Sequence, residues 1–231
     1  IKNASLLLFS RILKIGVPTG FQFIFEVSAF SAAAIMMGWI GVNALAGHQI
    51  ALNLASISYM MATGLATAAM IRVSNQIGKG NIKAMREAGM VVFGMVIVFM
   101  FLAAVLFISA RYYLPTLYID DPEVIALSAS LLIIAGLFQL SDGVQVVGLG
   151  VLRGMEDVKI PTLVTLMAYW VLGLPLGYLL AFEFGFEEKG IWYGLLIGLS
   201  ITAVMLFYRF RSLSRKRLFA NPATSKQISI P

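Results

Sequence analysis

AGMVVFGMVIVFMFLAAVLFISA, residues Ala88–Ala110, is a run of 23 residues without one charged side chain. The hydrocarbon core of a bilayer is about 30 Å thick, so a helix rising about 1.5 Å per residue needs roughly 20 mainly apolar residues to cross it. This stretch reads as a transmembrane helix. Comparable runs lie on either side of it, at approximately Gly16–Gly38, Ala44–Ile71, Val124–Leu152, Pro161–Phe184 and Ile191–Tyr208. The expected fold class is therefore all-α, a polytopic membrane protein with six transmembrane helices. A β-barrel would show short segments of alternating polarity, and the sequence has none.

Composition supports that reading. The 231 residues are 60% hydrophobic and 12% charged, with a mean hydropathy of +0.90. A soluble domain of this size has no interior large enough for so much apolar surface. Cysteine is absent, which excludes a disulfide framework and thiol chemistry.

The basic residues predict the orientation. If the spans alternate from an inner N-terminus, all 17 Lys and Arg residues except Arg111 and Lys189 fall on the inner side. Lys and Arg are retained in cytoplasmic loops, so both termini are expected in the cytoplasm and the chain in the cell inner membrane. On this reading the basic sequence pI of 9.7 reports topology and not a nucleic-acid partner. Three regions are expected: an interfacial amphipathic segment over 1–15, the six-helix lobe over 16–208, and a basic cytoplasmic tail over 209–231. The lipid bilayer is the first expected partner.

Ionisable residues deep in a span are costly and mark function by default. Two stand out. Glu26 lies 12 residues beyond Lys14 in the first span, and Asp142 lies 11 residues before Arg153 in the fourth. At helical rise these separations are about 18 Å and about 16 Å, so both carboxylates are predicted near the bilayer midplane. Each has polar neighbours on its own face: Thr19 and Gln22 with Glu26, Gln139 and Gln145 with Asp142. Gln49, Asn53 and Ser56 form a similar stripe in the second span. Lipid would leave such faces unsatisfied, so they must turn toward each other or toward water. A shared proton or Na⁺ site at Glu26 and Asp142 is expected, with Gln22, Gln139, Gln49 and Asn53 as supporting polar groups.

Other features have plainer readings. His48, the single histidine, is expected to be a satisfied structural residue. Pro175, flanked by Gly173 and Gly177, is expected to break the fifth helix and act as a hinge. A short echo, Gly20…Gln22…Glu26 against Gly136…Gln139…Asp142, falls in the first helix of each group of three, as internal repeats of transporters do.

The order of several motifs resembles the C-terminal lobe of the multidrug and toxic compound extrusion family. They are Gly16-Val-Pro18 with Glu26, Ala46-Gly-His48-Gln49, Arg72-Val-Ser-Asn75-Gln-Ile-Gly78-Lys-Gly80-Asn81, Leu152-Arg153-Gly154, Tyr169-Trp170 with Pro175, and Gly190-Ile-Trp192-Tyr-Gly194. The resemblance implies a secondary active antiporter that exports organic cations in exchange for H⁺ or Na⁺, with no cofactor and no enzymatic step. It also implies an N-terminal six-helix lobe as partner, and acids at the positions of Glu26 and Asp142 as the cation-coupling residues. One departure is Phe138, where family members often carry a tyrosine; that loss tilts the expectation toward H⁺. Three rival readings fit the residues less well. A lipid or polysaccharide-precursor flippase would line its cavity with basic residues. An intramembrane aspartyl protease would need a Gly-x-Gly-Asp context that Leu140-Ser-Asp142-Gly lacks. A non-transporting accessory subunit would not need paired midplane acids.

Overall fold

A computed structural model describes residues 6–220. Its helices are α1 (Leu6–Ile40), α2 (Val42–Gly78), α3 (Ile82–Ser109), α4 (Pro122–Gly154), α5 (Lys159–Glu183, in four stretches) and α6 (Glu187–Ala220). All six are long and apolar enough to cross a membrane. No strand occurs among the described residues. The helices extend past the apolar runs at several ends because polar and basic flanks continue the backbone hydrogen bonding beyond the oily stretch. The first turns of α1 thus take in part of the segment expected at the interface, and α6 continues helically to Ala220. Residues 221–231 of the expected tail lie outside the described residues.

Local chemistry fixes the turns. The Asn81 side chain accepts the Ala84 N–H at 3.0 Å and caps α3. The Asp121 carboxylate accepts the N–H groups of Glu123 and Val124, with Pro122 in the first turn of α4. A 3₁₀ turn, Leu114–Leu117, fills the α3–α4 connection. Gly80 takes a φ of +71° in the tight α2–α3 turn.

α4 is the central post, packed against α2, α3 and α6. The α2–α4 approach is close enough that a Cβ on Gly150 would lie 2.5 Å from the Ala66 carbonyl oxygen. α1 packs mainly on α5 and α2. That arrangement leaves a space between α1, α2 and α4.

α5 departs from regular geometry. It runs as α-helix over Lys159–Leu166, π-helix over Met167–Gly173, α-helix over Leu174–Tyr178 and π-helix over Leu179–Glu183. The Leu174 N–H donates to the Tyr169 carbonyl, five residues back, in place of the usual four. Pro175 lies at the end of this first wide turn, where its missing N–H removes one α-helical bond. Gly173 and Gly177, which flank Pro175, lie in the packed seam with α6. They face α6 at backbone contact, and a Cβ on Gly194 would lie 2.4 Å from both the Gly173 carbonyl oxygen and the Gly177 Cα.

Candidate functional site

The space between α1, α2 and α4 is a cavity of about 510 Å³. Glu26 enters it from α1, Gln49 and Tyr59 from α2, and Phe138 and Asp142 from α4. The rest of the lining is apolar apart from Ser31 and Ser56, and includes Phe23, Phe30, Leu52 and Ile35. Among the described residues no Lys or Arg lines it. Glu26 and Asp142 are each only 5% exposed. The two acids singled out by depth thus share one cavity wall.

Hydrogen bonds hold Glu26 from two directions. Gln145 Nε2, reaching across from α4, donates to Glu26 Oε1 at 3.1 Å. Gln22 Nε2, one turn earlier on α1, approaches Glu26 Oε2 at 3.5 Å. Each amide is anchored at its other end. Tyr169 Oη on α5 donates to Gln145 Oε1 at 3.0 Å, and Arg153 Nη2 at the end of α4 donates to Gln22 Oε1 at 3.3 Å. The result is one continuous chain, Arg153–Gln22–Glu26–Gln145–Tyr169. Arg153 also stands over the Phe23 ring, 5.5 Å from its centroid. Beside it a small pocket of about 30 Å³ is lined by Gln22, Phe23, Tyr59, Thr63 and Arg153 among others, room for about one water. Asp142 makes no hydrogen bond to another described residue, so its carboxylate is left to face the cavity.

The supporting residues expected from sequence divide. Gln22 sits against Glu26, and Gln49 lines the cavity. Gln139 is fully buried but turns to α2, where Ser58 Oγ donates to its Oε1 at 3.0 Å; its Nε2 has no partner. Asn53 belongs to a different contact, accepting from Tyr118 Oη in the α3–α4 connection at 2.8 Å. His48 corrects the expectation of a satisfied histidine. It is fully buried with both ring nitrogens unpartnered, because its surroundings are aromatic and apolar: the ring packs edge-on against Trp192 at 5.7 Å. Trp192 in turn stacks on Phe138 at 5.3 Å and 13°, tying the cavity wall to α6. Among the described residues no group of three or more His, Cys, Asp or Glu is placed to hold a metal.

Sequence reasoning missed Arg153, Tyr59 and Tyr169 as members of this site. Two of them left a signal. Arg153 follows Asp142 by 11 residues, three helical turns, which puts both on one stripe as well as setting their depth. Tyr59 continues the Gln49–Ser56 stripe by the same periodicity. Tyr169 comes from another helix, and no spacing announces it. The phenol absent at Phe138 is matched by phenols arriving from α2 and α5.

Comparison with known proteins places this architecture. The family model described as MatE matches residues 18–179, more than half of the chain. The chain is 39% identical over 213 residues to a probable multidrug resistance protein NorM of Agrobacterium fabrum, covering 90% of this chain and 46% of that protein. It is 41% identical over 217 residues to the multidrug resistance protein NorM of Burkholderia vietnamiensis, covering 92% and 47%. The crystal structure of the eukaryotic MATE transporter AtDTX14 superposes with a TM-score of 0.82 at 26% identity, covering 93% of this chain and 50% of that one. A MATE structure in a bent conformation shares the fold, with a TM-score of 0.85 at 15% identity over 92% of this chain and 47% of that one. The chain spans about half the length of the curated relatives it matches. The family match, the NorM similarity and the shared six-helix architecture agree: the chain belongs to the MatE family, that of the multidrug and toxic compound extrusion transporters.

Proposed function

We propose that residues 16–208 form one six-helix lobe of a secondary active multidrug efflux antiporter, which exchanges organic cations for H⁺ or Na⁺ across the inner membrane. Glu26 and Asp142 are its cation-coupling residues, and a second six-helix lobe is its partner. Both termini, with the segment 1–15 and the tail 209–231, lie in the cytoplasm. Pro175 serves as a hinge at the wide turn of α5.

One observation carries the reading: two buried carboxylates from different helices open onto one largely apolar cavity of about 510 Å³. Carboxylates deep in a membrane protein face a bundle interior or a water-filled cavity and mark ion pathways. Aromatic and aliphatic walls beside acids suit an organic cation with apolar rings. The acidic lining, free of Lys and Arg, favours cations over the anionic substrates of a lipid or polysaccharide-precursor flippase. The NorM names of the relatives agree with drug export.

Efflux of a fluorescent organic cation from proteoliposomes tests the proposal, driven in turn by a pH gradient and by a Na⁺ gradient. Export under at least one gradient, lost when Glu26 becomes Gln, is the expected result. Export that is indifferent to both gradients would contradict it.

A further inference from the structure

We propose that Arg153 is a specificity-determining residue of the acid pair: through Gln22 it keeps the site suited to a proton and unsuited to a metal cation. This rests on the cation-site reading above and names what the site selects.

A hard cation such as Na⁺ is held by oxygen ligands, and side-chain and backbone carbonyls commonly supply them. The amide oxygens of Gln22, Gln145 and Gln139 each accept a hydrogen bond from another helix or from the end of α4. Gln22 Oε1 accepts from Arg153, Gln145 Oε1 from Tyr169, and Gln139 Oε1 from Ser58. What Gln22 and Gln145 turn toward Glu26 is nitrogen, at 3.5 and 3.1 Å. Chemistry fixes this orientation at Gln22. A guanidinium has five N–H donors and no acceptor, so the amide end that meets it is oxygen and the end that meets Glu26 is NH₂. Arg153 therefore acts as a lock on the amide, and the lock holds a donor where a metal would need an acceptor.

Charge works in the same direction. Arg153 is partly buried and is attracted to Glu26, so the site already has a resident cation. The groups facing Glu26 are Gln22 from its own helix, Asp142, Gln145 and Arg153 from α4, Tyr59 from α2 and Tyr169 from α5. With both carboxylates ionised, Glu26, Asp142 and Arg153 carry one net negative charge. A proton neutralises that charge on a single oxygen and needs no further ligand. Na⁺ needs several oxygens, and Arg153 and Tyr169 hold the two amide oxygens nearest Glu26, those of Gln22 and Gln145, turned away from it. Arg153 is a positioning residue, since it acts on the cation through Gln22.

Dicyclohexylcarbodiimide labels protonated carboxyls in apolar surroundings, so its reaction at Glu26 reads occupancy without requiring transport. The full chain in lipid nanodiscs is labelled across a pH series, in NaCl or in choline chloride, and Glu26 is quantified by mass spectrometry. In the wild type, labelling should follow pH and be indifferent to Na⁺. In Arg153→Gln, which frees Gln22 to turn its oxygen to Glu26 as a cation ligand, Na⁺ should slow labelling by about tenfold, equivalent to about 1.4 kcal/mol. Arg153→Lys, again donors only, should behave as wild type. Arg153→Gln combined with Gln22→Leu should lose the gained Na⁺ response, which a merely structural role for Arg153 does not predict. An Arg153→Gln protein no more responsive to Na⁺ than the wild type would overturn the proposal, as would a wild type already protected by Na⁺; either leaves the acid pair standing as a cation site. Labelling that follows neither pH nor Na⁺ in any version would remove the cation site itself.

Discussion

Gln145 on α4 donates to Glu26 on α1 at 3.1 Å, joining the two helices that carry the acids. The same amide accepts from Tyr169, so one side chain couples α1, α4 and α5. Replacing Gln145 with Leu leaves Glu26 short of its nearest donor and strands the Tyr169 hydroxyl. A buried polar group left unpaired costs about 1–3 kcal/mol. Tyr169→Phe removes only one neutral bond, worth about 1 kcal/mol. Thermal unfolding in detergent should therefore rank wild type above Tyr169→Phe above Gln145→Leu. Equal midpoints for the two variants would show that the Gln145–Glu26 bond contributes little.

The α5–α6 seam predicts a contrast between two glycines. A Cβ on Gly194 would meet the α5 backbone at 2.4 Å, while nothing lies within 4 Å of one on Gly64. Close backbone approach of this kind is how small residues pack membrane helices. Gly194→Ala should force the helices apart and lower both yield and thermal stability. Gly64→Ala should be neutral or stabilising by about 0.5–1 kcal/mol, since glycine disfavours a helix interior. Size-exclusion profiles and melting midpoints of the two variants check this, and parity between them would refute the seam.

At the basic end of the lobe, Arg209 of α6 grips Asp157 in the α4–α5 turn with two hydrogen bonds, at 2.5 and 2.9 Å. Arg217 adds a bond to the Met155 carbonyl at 3.1 Å. The Arg209–Asp157 pair is partly shielded, at 30% and 18% exposure, and bidentate geometry is the strong form of the contact. Asp157→Asn and Arg209→Gln should each cost about 1–2 kcal/mol, and the double variant should cost little more than either. A double-mutant cycle measures the coupling, and a coupling near zero would assign the pair no role in holding the turn.

The same end carries nearly all of the basic residues, and the proposed orientation rests on that bias. The chain has no cysteine, so single replacements report cleanly. Ser74 on α2 and Glu187 at the start of α6 are both exposed and lie at opposite ends. An impermeant maleimide applied to intact cells should label Glu187→Cys and spare Ser74→Cys. The reverse pattern would invert the topology.

Much of this molecule was legible in its sequence, for physical reasons. Six apolar runs of bilayer length announce six helices, because lipid leaves a backbone no other way to satisfy its polar groups. Glu26 and Asp142 open onto one cavity, and Gln22 and Gln145 gather around Glu26, because lipid leaves buried polar groups no other partners. Three things were not legible. The partners of Glu26 lie up to 119 residues away, and periodicity along one helix cannot say which neighbour faces it. Asn53 shares a stripe with Gln49 yet serves the α3–α4 connection, since a stripe sets a face and not a depth. The wide turns around Pro175 depend on how α5 meets α6, which local propensity does not contain.

The central claim is that Glu26 and Asp142 together bind the exchanged cation. Glu26→Gln and Asp142→Asn remove charge while nearly keeping shape. With the proposed second lobe present, each substitution should abolish cation-driven export while membrane insertion and yield stay normal. The double substitution should be little worse than either single, as expected of residues acting as one unit. The deciding measurement is efflux of an organic cation by all four versions in proteoliposomes, under a pH gradient and separately under a Na⁺ gradient. Loss of export in both single variants is the predicted result; near-normal export by both, under both gradients, would contradict the account and leave the acids as structural hydrogen-bonding groups.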